Sequence, residues 1–333
     1  MTGARPAFLV TIDTEGDDLW SRPRRITTRN AEFLPRFQAL CERYGLRPTY
    51  LVDYDMGRSP AFVAFASDLL RRRAGEVGMH LHAWNTPPLH PRTPDDLRWQ
   101  PYLTEYPEPV MAAKVATMTA LLRERFGEAV VSHRAGRWGL DARYARVLVA
   151  HGYLVDCSVT PGVSWRDHLG APDGTGGPDF SSAPETPYFL SLEDVTRPGP
   201  SPLLEVPVSV VRGPGARLAR RLPSRWRLIR RVVGRGLPSA HWLRPTGRNR
   251  RQMVAIVRRA LGRRAPHLTF MLHSSELMPG GSPRFPSRRA VERLYADLEG
   301  LFGLVQAVCT PMTLSEFRGL AVSHRAAAGA GAG

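Results

Sequence analysis

An apolar run from Phe8 to Ile12 breaks off into Asp13, Thr14, Glu15 and Asp17, and a later run from Leu268 to Leu272 breaks off into His273. Between them, Val77-Gly78-Met79 leads into His80 and His82. Short apolar runs without polar alternation are the pattern of strands buried on both faces, as in parallel sheets. Acids and histidines at the ends of such strands narrow the choice further, because α/β proteins gather their functional groups at one end of the sheet. Strands are expected over 7–13, 48–52, 75–80, 130–132, 154–158, 203–210, 268–273 and 302–307. Helical spacing of apolar residues predicts helices over 28–44, 60–73, 110–126, 141–151, 217–233, 249–261, 288–298 and 313–317. This alternation predicts a parallel sheet wrapped by helices, and periodicity alone leaves a closed barrel and an open sheet both standing. Residues 84–108, rich in proline and aromatics, read as a long loop over the functional face.

The chain has 333 residues, within reach of one large α/β domain. Cys41, Cys157 and Cys309 are too few and too far apart for a disulfide framework. The first strand starts by Ala7, so no signal peptide is expected, and no apolar stretch is long enough to cross a bilayer. A cytoplasmic protein is the simplest expectation. Net charge is +16, with Lys114 the sole lysine, and no Asp or Glu occurs between Val206 and Ser275. That stretch predicts a basic helical insertion at about 212–264. Its Trp226, Leu228, Val232 and Val233 alternate with arginines, as in a helix lying on an anionic membrane surface or gripping a phosphate-bearing ligand. Nucleic acid is disfavoured, because aromatic interleaving is nearly absent there. Residues 319–333, small and flexible, read as a disordered tail.

Asp13 and Glu15 are two apart on an extended segment, so both carboxylates can face one pocket. One can bind a metal while the other takes a proton from water. His80 and His82 can present two nitrogens to the same ion. Arg134, at a strand end, can pair with Asp13 and hold it ionised. Asp156 ends another strand, where it can position a histidine or hydrogen-bond substrate. His273 can protonate a leaving group. Trp138 offers a floor for a sugar ring, and Trp84 lines the pocket. No nucleophile elbow, Walker A loop or dinucleotide fingerprint is present.

In this order the segments resemble the five motifs of the polysaccharide deacetylases, the NodB-like carbohydrate esterases, and within them the WalW-like branch linked to lipopolysaccharide biosynthesis. Thr11-Ile12-Asp13-Thr14-Glu15 is similar to the first motif and Gly78-Met79-His80-Leu81-His82 to the second. Arg134-Ala135-Gly136-Arg137-Trp138-Gly139 is similar to the third, Asp156-Cys157-Ser158 to the fourth and Met271-Leu272-His273 to the fifth. The resemblance covers roughly residues 5–318 and implies one distorted (β/α)7 barrel binding a divalent metal, with zinc the foremost choice. It implies Asp13 as base, Arg134 orienting it, Glu15, His80 and His82 on the metal, His273 as acid and Asp156 in support. A backbone N–H would help the metal hold the oxyanion. Two positions depart from the pattern. Thr14 stands where a metal-binding Asp is usual, which passes the duty to Glu15, and Trp84 stands where the second histidine is usual, which passes it to His82.

The resemblance implies hydrolysis of an N-acetyl group on a sugar in a polysaccharide, lipid-linked or nucleotide-linked glycan. Two alternatives stay open: a catalytically inactive barrel that binds glycans or glycolipids, and a hydrolase of another small C–N amide.

Overall fold

The computed structural model describes residues 5–213 and 240–330. Seven parallel strands form one curled sheet. In sheet order they are β10 (His267–His273), β1 (Ala7–Thr14), β2 (Thr49–Val52), β3 (Glu76–Leu81), β4 (Ser132–Ala135), β5 (Val155–Asp156) and β7 (Leu204–Glu205). β6 (Tyr188–Phe189) adds antiparallel to β7, and β11 (Thr310–Met312) pairs with the start of β1. Every residue of β1 is buried, as its apolar run predicts, and its register sets Asp13 directly beside His273.

The circle closes without a regular ladder. Past β7 the chain reaches β10 through single bonds: Ser209 N donates to Thr269 O (3.3 Å), Thr269 N donates to Ser209 Oγ (2.9 Å) and His267 Nε2 donates to Pro207 O (3.0 Å). Above them Leu243 wedges in, its carbonyl accepting from Met271 N (3.1 Å) and its N–H donating to Ser209 O (3.0 Å). This irregular seam is the distortion of the (β/α)7 barrel.

Helices Leu34–Arg43, Pro60–Arg71, Glu108–Phe126, Ala142–Ala150, Arg250–Gly262 and Arg288–Val308 contribute buried apolar faces to the core around the sheet. Asp141 caps its helix by accepting from Tyr144 N (2.8 Å), as expected.

Several expectations are corrected. Residues 302–307 are helical, not a strand, because Leu294, Leu298, Leu301, Phe302 and Val305 form one buried stripe of the helix Arg288–Val308. The last helix is Leu314–Ala330, so ordered structure occupies most of the span read as a tail. The basic insertion is narrower than 212–264. The helix Arg250–Gly262 buries Met253, Ile256, Val257 and Ala260 in the main core and belongs to the barrel wall. What interrupts the barrel is a two-stranded ribbon, β8 (Val210–Arg212) against β9 (Ala240–Trp242). The residues between its strands, with the helix expected at 217–233, lie outside the described residues.

The long loop after β3 is tied down from beneath. The Lys114 ammonium, buried under it, donates to the carbonyls of Ala83 (2.9 Å), Thr86 (2.6 Å) and Pro88 (2.8 Å). Burial pulls its pKa down to about 8.

Candidate active site

The carboxyl ends of the strands open into a cleft of about 240 Å³. Asp13, Glu15, His80, His82 and His273 meet at its floor. Arg134 lies beneath, fully buried, and its guanidinium fixes the arrangement. Nη1 donates to Asp13 Oδ1 (2.5 Å), Nη2 donates to Thr11 Oγ1 (2.9 Å) and Nε donates to Cys157 O (3.0 Å). Burial alone would raise the Asp13 pKa. The charges of Arg134, then His80 and His273, outweigh it and hold the carboxyl below its usual range.

Glu15 extends from the end of β1 because its backbone is clamped. Ser274 Oγ accepts from Glu15 N (3.1 Å), and Asn30 Nδ2 donates to Glu15 O (2.7 Å) and Ser274 Oγ (3.0 Å). The Glu15 carboxylate accepts from His82 Nε2 (2.8 Å) and lies 3.5 Å from His80 Nε2. His80 Nδ1 donates to the Arg134 carbonyl (3.0 Å), which leaves Nε2 as the ring's donor atom toward the cleft.

The ligand-capable atoms of Glu15, His80 and His82 lie within 4.8 Å of one another, all buried. Two ligands about 2.0–2.1 Å from a tetrahedral cation sit roughly 3.3 Å apart, close to the His80–Glu15 spacing. Two imidazoles and a carboxylate with one open side suit a divalent transition metal. Burial, reinforced by the neighbouring His80 charge, brings the His82 pKa down to about 4, so this ring is neutral at pH 7. Thr14 turns away, its hydroxyl donating to Ile12 O (3.0 Å). Trp84 packs on His82 with ring centroids 4.2 Å apart. Gly136 has to be small, since a Cβ there would come within 2.6 Å of His82 Nδ1.

His273 faces the triad from β10, its Nε2 3.7 Å from both Asp13 Oδ2 and Glu15 Oε1. Its other nitrogen meets Arg244 Nη2 at 3.0 Å. A guanidinium only donates, so Nδ1 accepts and the neutral ring carries its hydrogen on Nε2, facing the cleft. Glu276 braces the pair by accepting from Arg244 Nη2 (2.8 Å) and from His273 N (3.0 Å). Burial opposes ionisation of Glu276, but Arg244 and His273 override it and hold its pKa far below the usual range.

Asp156 does not reach the cleft. It is fully buried, accepting from His133 Nδ1 (2.6 Å), Ser158 N (2.8 Å) and Ser158 Oγ (2.9 Å). The option of contact with substrate is therefore corrected. The residue positions a histidine, His133, whose Nε2 is 2.7 Å from Tyr144 Oη. Asp17 is a cap, accepting from Asn30 N (2.9 Å) and Thr27 Oγ1 (2.8 Å).

The upper walls are aromatic. Trp138 and Trp165 stack 6.3 Å apart at 20°, and Trp242 adjoins both. Trp20 covers His273 at 4.9 Å. The sequence pointed to Trp138 and Trp84. Arg244, Glu276, Asn30, Trp165 and Trp242 went unseen, although Glu276, three residues past His273, carried a signal.

The curled sheet of seven parallel strands that carries these residues has counterparts of known structure. A protein from Parabacteroides distasonis, named as a glycoside hydrolase/deacetylase, aligns over 96% of this chain and 71% of its own, with a TM-score of 0.61 and 10% identity. The chain has the polysaccharide-deacetylase fold. The 4-alpha-glucanotransferase of Thermococcus litoralis shares this fold over 94% of this chain and 40% of its own, with a TM-score of 0.51 and 11% identity. A polysaccharide deacetylase from Mycobacterium smegmatis aligns over 94% of this chain and 95% of its own, with a TM-score of 0.46 and 16% identity. No protein-family model and no curated protein matches the chain by sequence. On this fold, Asp13, Glu15, His80 and His82 stand where strands β1 and β3 end.

Proposed function

We propose that the chain is a metal-dependent hydrolase that removes an N-acetyl group from a sugar of a polysaccharide, lipid-linked or nucleotide-linked glycan. The observation that carries this reading is the Arg134–Asp13 ion pair beside the Glu15, His80 and His82 triad, with His273 opposite. Glu15, His80 and His82 would hold the cation, which supplies Lewis acidity and a water ligand of lowered pKa. Asp13 stays ionised and accepts a proton from the attacking water. Arg134 keeps its second oxygen free for that task. His273 delivers the hydrogen on Nε2 to the departing nitrogen, and Trp138 and Trp165 seat the sugar. Zinc is the proposed ion.

The motifs support the finer assignment to the WalW-like branch. We place the protein in the cytoplasm, with its basic surface able to touch the anionic inner face of the membrane. Its cysteines are buried free thiols, and no described helix is long and apolar enough to cross a membrane.

The test is metal analysis of the purified protein with an assay for acetate release from N-acetylated oligosaccharides. We expect one divalent ion per chain, lost in His80→Ala. Asp13→Asn should keep the ion and lose roughly 10²–10⁴-fold in kcat. A protein that binds no divalent ion, or an Asp13→Asn variant of full activity, would refute the reading.

A further inference from the structure

Of the Asp, Glu and Arg side chains that line the cleft, all but one have an opposite charge or a histidine beside them. Asp13 has Arg134, Arg244 has Glu276, and Glu15 has the two histidines. Arg137 lines the same cleft, and no described carboxylate comes within ion-pair distance of it. It is nonetheless firmly held. Its φ is +54°, a left-handed conformation that non-glycine residues adopt rarely. Its guanidinium lies 4.2 Å from the Tyr102 ring centre, Nη2 donates to Leu169 O (2.9 Å) and Nη1 donates to Gln100 O. Glu105 lies near but is engaged elsewhere, its carboxylate accepting from Tyr102 N (2.7 Å) and Ala171 N (3.1 Å).

Five N–H groups belong to a guanidinium, so three remain for a ligand. Arg22 is exposed two residues after Trp20, which lines the cleft, so a second positive charge sits on the segment at its rim. A half-buried guanidinium in a cleft, with no carboxylate beside it, is costly until an anion arrives.

We propose that Arg137 and Arg22 form a subsite for an acidic substituent, a carboxylate or a phosphate, carried by the N-acetylated sugar beside the reacting group. The identity of the ligand as a sugar rests on the deacetylase reading, whereas the anion site does not. The forked, planar geometry of Arg137 suits either oxyanion.

The experiment uses the full-length zinc-loaded protein and three probes: N-acetylglucosamine, its 6-phosphate, and N-acetylmuramic acid. We expect kcat/KM for acetate release to be at least about tenfold higher for an acidic probe than for the neutral one. The phosphate and carboxylate arms tell which group the site prefers. The acid-to-neutral ratio should fall toward one in Arg137→Gln, recover in part in Arg137→Lys, and shrink at high salt. Arg22→Gln, at an exposed position, should lower the same ratio and guards against misfolding of the Arg137 variants. An equal ratio in wild type, or one indifferent to both substitutions, overturns the proposal. If no probe releases acetate, the deacetylase reading is decided by the oligosaccharide assay above, separately from the anion site. Tryptophan fluorescence titrated with inorganic phosphate then decides: saturable binding weakened by each variant sustains the anion site, and absent or unaltered binding overturns it.

Discussion

Arg134 directs its fork at Asp13, Thr11 and Cys157 O, so one side chain sets the position of the base and ties the end of β5 to β1. Lysine keeps the charge but cannot reach three acceptors at once. We expect Arg134→Lys to lower kcat/KM by roughly 10–100-fold and to raise the Asp13 pKa toward its usual value. The proposed base is active when ionised, so the acidic limb of the pH profile should move to higher pH, which kcat/KM measured across pH will show. At this scale the sequence was legible wherever a residue sits at the end of a buried strand: Asp13, Glu15, His80, His82, Arg134 and His273 converge. It was illegible for residues recruited from irregular segments. Arg244 and Trp165 reach the cleft, and Trp242 packs against Trp165, from turns and short ribbons that leave no periodic trace. Asp156 shows the converse. It ends a strand as expected, but β5 sets it beside His133 within the sheet, with its oxygens directed at His133 and Ser158.

Among the elements, the helix Glu108–Phe126 has a task beyond packing. Its Lys114 gathers three carbonyls of the loop that carries Trp84 beside the Glu-His-His triad. Replacing it with methionine keeps the bulk and strands those carbonyls. Lys114→Met should cost about 2–4 kcal/mol of stability. Thermal unfolding checks this, and looser metal retention should accompany it. Helices were read well where one face is apolar, and poorly at Phe302–Ala307. There Leu304, Val305 and Ala307 are bracketed by Gly303 and Cys309, a short apolar run that mimics a strand. Barrel closure was out of reach for a related reason: the seam from Pro207 to Ser209 and Leu243 rests on single hydrogen bonds, which follow no repeat.

For the whole molecule, acid should be the weak point. His267 is buried at the seam, and burial lowers its pKa to about 4. The unfolded chain takes up that proton below about pH 6.5, while the folded chain refuses it until near pH 4. Its contribution is therefore complete above pH 6.5 and drains away as pH falls toward 4, by up to about 3 kcal/mol. His133, lowered by burial against the pull of Asp156, acts in the same direction. Urea unfolding at pH 7 and 4.5 should show the loss, and His267→Gln, which keeps a donor for Pro207 O, should lessen it.

The ribbon of β8 and β9 has a practical use. Arg212 and Ala240 face each other at its far end, across an antiparallel pair whose other end places Val210 opposite Trp242. Such an end accepts a tight turn. Exchanging residues 213–239 for Asn-Gly should yield a shortened chain that melts within about 5 °C of the parent and still loads metal. The position would then serve as a docking port on the rim, where a reporter or a foreign loop could be inserted within sight of the tryptophans.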